Sequence, residues 1–217
     1  MAVDADGLLQ SLQLELESIY GVTAPARVTD FLISRDRWAE LSASGAPEEL
    51  LVVQNGDDVE IGLFLEDSVL RSLSTQGRWT HERLSAHCQA VEGVSHFVYL
   101  THRASVPRPV SQLELELQAE IDKFATMMLR LWREQRREAA RELNERLFEQ
   151  VTYRDNLAPE ARERYEKANL LARTYCRFLS ARYVVRDSID GLIADLRRMY
   201  RLGAGEKLSY AACGTAL

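Results

Sequence analysis

Cysteine is scarce. Cys88, Cys176 and Cys213 are the three cysteines in 217 residues, far apart and in no C-x-x-C pair, which excludes a disulfide framework and a cysteine zinc knuckle and fits a reducing cytoplasm. The chain also lacks G-x-x-x-x-G-K-[ST], G-x-G-x-x-G and G-x-S-x-G, so phosphate-cradle, dinucleotide and nucleophile-elbow readings have no central residues to stand on. No apolar run approaches the roughly 18 residues that span a bilayer. The N-terminus Met1-Ala-Val-Asp-Ala-Asp has acids where a secretory signal has bases. Cytoplasmic residence, without a membrane partner, is the expectation. Glycine and proline are absent from 111 to 157, which predicts long helix there.

What is present begins with one hairpin. Leu50-Leu-Val-Val-Gln-Asn-Gly-Asp-Asp-Val-Glu-Ile-Gly-Leu-Phe-Leu65 sets Asn55-Gly56, a pair suited to positive φ, between two aliphatic runs. In the second run Val59, Ile61, Leu63 and Leu65 share a face, which predicts a covering layer of helices. Further strands are predicted near 27–33 and 95–102. In the latter, both faces are apolar, as in a central strand. Helices are predicted at 8–20, with Leu9, Leu12, Leu16 and Ile19 inward, over Ser34 to Leu41, over Glu66 to Leu73, and from Thr80 to a stop at Gly93.

Val106-Pro-Arg-Pro-Val110 marks a boundary, since two prolines one residue apart cannot continue a ladder or a helix. Ser111-Gln-Leu-Glu114 is a capping box, followed by Leu117, Ile121, Phe124, Met128 and Leu131 at helical steps. An unbroken helix to Phe148 would reach about 57 Å, so a break near 132–137 is expected. Pro159 opens the next helix, with Ala168, Ala172, Tyr175 or Cys176 and Leu179 on its seam, and another starts near Ser188 and ends by Gly203. Ala211 to Leu217 reads as a frayed tail. The prediction is an α+β protein: a small, mainly antiparallel sheet with helices in residues 1–107, then an antiparallel helical unit in 108–217, the two being separate or one integrated domain.

Charge is layered along the chain. Residues 1–100 carry 6 basic against 16 acidic side chains, 101–150 carry 9 against 9, and 151–217 carry 12 against 8. The acidic front disfavours a nucleic-acid face. In Arg130 to Glu142, glutamates three or four residues from arginines predict a salt-bridged surface. Arg173, Arg177, Arg197, Arg198 and Arg201 have fewer such neighbours and lie among tyrosines, making them candidates for a binding surface.

Histidine chemistry is weighed next. In a strand, His96 and His102 would share a face but stand about 20 Å apart, beyond the span of one ion. Asp57, Asp58 and Glu60 fit turn chemistry better than a cation loop. No metal or cofactor is therefore expected. The leading functional expectation is a non-catalytic adaptor or regulatory protein that binds a protein partner, or a second copy, through helices 111–150 and 159–185. The alternative is a small hydrolase or transferase with a cleft between sheet and helices, using His96, Glu114 and Arg103 or Arg177. The two differ in whether those polar side chains converge in one pocket.

Overall fold

The computed structural model describes residues 5–55, 58–74, 80–104, 109–149, 151, 153–154 and 157–213. A two-stranded antiparallel sheet among many helices makes the fold α+β. The chain separates into two compact units, Met1–Glu17 with Thr23–Val106, and Ser18–Val22 with Pro107–Leu217.

The first unit begins with most of α1 (Ala5–Tyr20), which buries Leu9, Leu12 and Leu16 as its spacing requires. Strands β1 (Glu48–Asn55) and β2 (Asp58–Leu65) pair from Glu48 opposite Leu65 to Asn55 opposite Asp58. Of the expected turn, Gly56 and Asp57 lie outside the described residues. Burial is confined to the base of the hairpin: Leu63 and Leu65 are covered on one face and Phe64 on the other, whereas Val52 and Val59 are exposed. Phe64 stacks on Trp38 of α2 (Arg35–Leu41) with centroids 4.5 Å apart. Glu49 fixes the same helix, one carboxylate oxygen accepting from Trp38 Nε1, Ser42 Oγ and Ser44 Oγ at 2.7–2.8 Å. Helix α3 (Asp67–Ser74) leaves the second strand as expected.

Both additional strands are corrected. Residues 27–33 form a 3₁₀ turn, Val28–Phe31, followed by a single parallel bridge between Leu32 and Leu63. The Val28 N–H that a ladder would use is taken by Gln13 Oε1 at 2.7 Å, and Asp30 N–H turns back to the Arg27 carbonyl. Residues 95–102 belong to α4 (His81–Ala104), a helix of 24 residues that runs through Gly93 without stopping. From Val91 to Tyr99 every residue but Glu92 is buried. A segment covered all round keeps no polar stripe by which period 3.6 could be told from period 2. Gly93 serves packing: a Cβ there would stand 2.8 Å from Leu63 Cδ1. The proline boundary falls largely on 105–108, outside the described residues.

In the second unit, Ser111 Oγ accepts from Glu114 N–H and caps α5 (Gln112–Arg133). Its Leu117, Ile121, Phe124, Met128 and Leu131 are buried. The helix breaks where its length demanded: Gln135 takes φ 58°, Arg136 N–H reaches the Leu131 carbonyl, and α6 (Arg137–Phe148) begins. α6 runs antiparallel to α7 (Pro159–Leu179), because Asn144 meets Ser180 while Glu149, further on, meets Arg173. A π-turn, Ser180–Val184, leads to α8 (Ile189–Arg201). The expected frayed tail is corrected in part: α9 (Ala204–Cys213) is helical with Ala211 fully buried, and 214–217 lie outside the described residues. Among the described residues no helix is long and apolar enough to cross a membrane.

Candidate functional site

Continuation of α4 through Gly93 sets Glu92 and His96 one helical turn apart, on the same face. Their ligand atoms, a carboxylate oxygen and an imidazole nitrogen, lie within 4.8 Å of each other. β1 brings Glu48 beside the imidazole, with Oε1 3.8 Å from His96 Nδ1. Both of these side chains are nearly sealed, 11% exposed for His96 and 9% for Glu48. Gly93 makes the approach possible: a Cβ at that position would stand 3.1 Å from Glu48 Oε1 and 3.2 Å from its Cγ. Two turns beyond His96, buried Arg103 donates to the Tyr99 hydroxyl at 3.0 Å. The first unit thus encloses an imidazole, the Glu48 carboxylate and a guanidinium along one helix and the strand beside it, with the half-buried Glu92 one turn away.

Chemically, an imidazole can take or give a proton at either ring nitrogen, and here a carboxylate stands 3.8 Å from Nδ1. Two carboxylates and an imidazole are also a donor set for a divalent ion.

The remaining candidates are distributed otherwise. Glu114 is buried in the first turn of α5, and Arg177 is exposed on α7. His96 and Arg103 thus fall in the first unit, Glu114 and Arg177 in the second. The five arginines proposed as a surface divide into three groups. Arg173 and Arg177 converge on one oxygen of Glu149. Arg197 donates to the Ile19 and Ser18 carbonyls at 2.8 and 3.0 Å, and Arg201 to the Tyr20 carbonyl at 3.2 Å. Residues 18–20 are the last turn of α1, whose carbonyls have no partner within their own helix. Arg198 lies over the Tyr210 ring, 5.2 Å from its centroid.

Sequence reading missed two buried hubs of this unit. Asp195 accepts from Tyr175 at 2.8 Å and Tyr210 at 3.1 Å on one oxygen, and from Tyr183 at 2.9 Å on the other. Burial, and then the adjacent carboxylate, raise the pKa of all three phenols. The second hub joins residues from both ends of the chain. Asp122 accepts from Tyr20 and from Gln118 Nε2, and Gln118 Oε1 accepts from Lys207 Nζ at 2.8 Å. Lys207 is wholly buried, with its ammonium over the Tyr200 ring. No periodicity signals either hub, since their members come from different helices. Glu92 was legible: Glu-x-x-x-His is a one-face spacing once the helix continues past Gly93.

Comparison of the chain with protein-family models, with curated proteins and with solved structures finds no match.

Proposed function

We propose that the protein is a small hydrolase or transferase whose reacting centre is built on α4 around His96. The reading is carried by one observation: a buried imidazole facing a buried carboxylate, His96 Nδ1 to Glu48 Oε1 at 3.8 Å, with Glu92 one turn away. Ionisable side chains are rarely kept from water without a partner or a task. In this reading the His96 and Glu48 pair, with Glu92, activates a water or a substrate hydroxyl. The test is a turnover screen over ester, amide and phosphoester substrates. His96→Asn should lower turnover by about 100-fold or more, and Arg177→Ala should leave it unchanged. Full activity in His96→Asn overturns the reading.

A second reading, an adaptor or regulatory protein that binds a protein partner or a second copy through α5 to α7, draws support from two exposed apolar residues. Leu170 on α7 is 61% exposed and Val185 after the π-turn is 66% exposed. Arg173, Arg177, Arg197, Arg198 and Arg201 would contribute charge to that surface. Self-association predicts a dimer whose population falls on dilution in light scattering, and a monomer at every concentration removes that form of it. Both readings take the protein as cytoplasmic, in keeping with Cys88, Cys176 and Cys213 as free thiols.

A further inference from the structure

We propose that a cavity in the second unit, walled by Arg137, Arg141, Val184, Val185 and Asp187, binds a small aliphatic carboxylate. Its volume is about 190 Å³, larger than a cavity of roughly 150 Å³ that takes up benzene. Every wall residue belongs to the same unit, and the inference stands apart from the reading of His96.

Three features carry it. The first is a guanidinium fixed in place with a donor to spare. Arg137, the first residue of α6, lies over the Trp132 ring, 4.2 Å from its centroid, and its Nη2 stands 3.0 Å from Asp187 Oδ1. Its Nη1 is buried and has no hydrogen-bond partner among the described residues, the kind of orphan donor that a bound anion accounts for. The second is Arg141, one turn further along the same helix face. Glu138 and Glu145 stand at pairing intervals from it, yet among the described residues Arg141 makes no ion pair or hydrogen bond. The third is the backbone. Gln135 and Asp187, each at φ 58°, are the non-glycine residues with positive φ among the described residues. One turns the chain into Arg137 and the other is part of the wall. Such conformations gather at ligand sites. A π-turn, likewise common at functional sites, ends at Val184.

The wall selects the ligand. Two guanidiniums against the Asp187 carboxylate leave one net positive charge, which suits a monoanion, whereas a phosphate dianion would be repelled by Asp187. A guanidinium matches a planar carboxylate with two parallel hydrogen bonds. Val184 and the exposed Val185 offer apolar surface in the same wall, and an alkyl group laid on them leaves water with them. The start of α6 adds the partial positive charge of a helix N-terminus, and Arg136 at its N-cap supplies no side-chain acceptor.

The test is a titration of the full chain, labelled with nitrogen-15, in which the arginine side-chain signals are followed by nuclear magnetic resonance. Isovalerate, acetate and inorganic phosphate are added separately at constant ionic strength. Isovalerate should bind saturably, in roughly the millimolar range expected of so small a ligand, and shift the Arg141 signal. Acetate and phosphate should bind at least threefold more weakly. Arg141→Gln should weaken isovalerate at least tenfold, whereas Arg146→Gln, exposed on the same helix and paired with Glu142, should leave it unchanged. Val185→Ser should remove the preference for isovalerate over acetate. Absence of saturable binding overturns the proposal, as does phosphate that binds as tightly as isovalerate, or binding that Arg141→Gln does not alter. Should a variant fail to fold, the order of the three ligands on the wild-type chain decides, and acetate equal to isovalerate overturns the aliphatic assignment.

Discussion

The two units bury acids in opposite ways. In the second, Asp195 accepts three tyrosine hydroxyls and Asp122 accepts a tyrosine and a glutamine. The donors are neutral and the Asp195 contacts are of hydrogen-bond length. In the first, Glu48 faces an imidazole at 3.8 Å, beyond hydrogen-bond length, and packs against Gly93 where a Cβ would stand 3.1 Å from its Oε1. A carboxylate saturated by phenols has its lone pairs committed and holds a fold together. A carboxylate beside an imidazole belongs to an arrangement able to exchange protons. Two buried acids of the same chemical type therefore read as structure in one unit and as chemistry in the other.

Four experiments break or sharpen that contrast. The largest effect is expected at Asp195. Asp195→Ala leaves three hydroxyls without their acceptor and should destabilise by about 3 kcal/mol or more, lowering the melting temperature by roughly 6–12 °C. A loss under 1 kcal/mol would mean that the tyrosines find other partners and that the hub is not structural. Next comes Gly93→Ala, whose Cβ meets Leu63 and Glu48. Overpacking of this kind destabilises by about 1–3 kcal/mol in a urea titration, and an unchanged midpoint would show that the gap is not needed.

The third concerns alkali. Tyr175, Tyr183 and Tyr210 have folded-state pKa values raised above 10.0, so the native state holds their protons longer than the unfolded chain does. Their contribution is complete below pH about 10 and is lost as pH climbs through the higher folded values. Melting temperature should fall above that pH, and less steeply in Tyr183→Phe. Equal slopes in mutant and wild type would separate the phenols from alkaline stability. The smallest effect is expected for Arg177→Ala. An exposed ion pair contributes about 0–1 kcal/mol, and Arg173 remains on Glu149. A larger loss would make that surface part of the structural core of its unit.

Much of this fold was legible. The hairpin followed from aliphatic runs flanking Asn55-Gly56, the start of α5 from Ser111 and Glu114, and its break from length alone. α4 was not legible, because burial on every side erased the periodicity of residues 91–99 and Gly93 resembled a helix stop. That one error hid the candidate site. As a strand, residues 95–102 set His96 against His102, and Glu92 falls in a different element. The five arginines were found by composition, but composition cannot distinguish a guanidinium facing water from one on a helix-terminal carbonyl. Asp195 and its three tyrosines come from α7, the π-turn, α8 and α9, so no local window contains them.

The bonds from Arg197 to the end of α1 bear on how the protein is made. The Ile19 carbonyl and its guanidinium partner are separated by 178 residues. At a synthesis rate of about 5–20 residues per second, α1 leaves the ribosome roughly 9–36 s before the side chain that completes its last turn. Tyr20 waits a similar interval for Tyr200, on which it stacks. The second unit therefore becomes whole only after α8 has emerged. A message truncated before α8 would yield a product whose first helix leaves its last carbonyls to water.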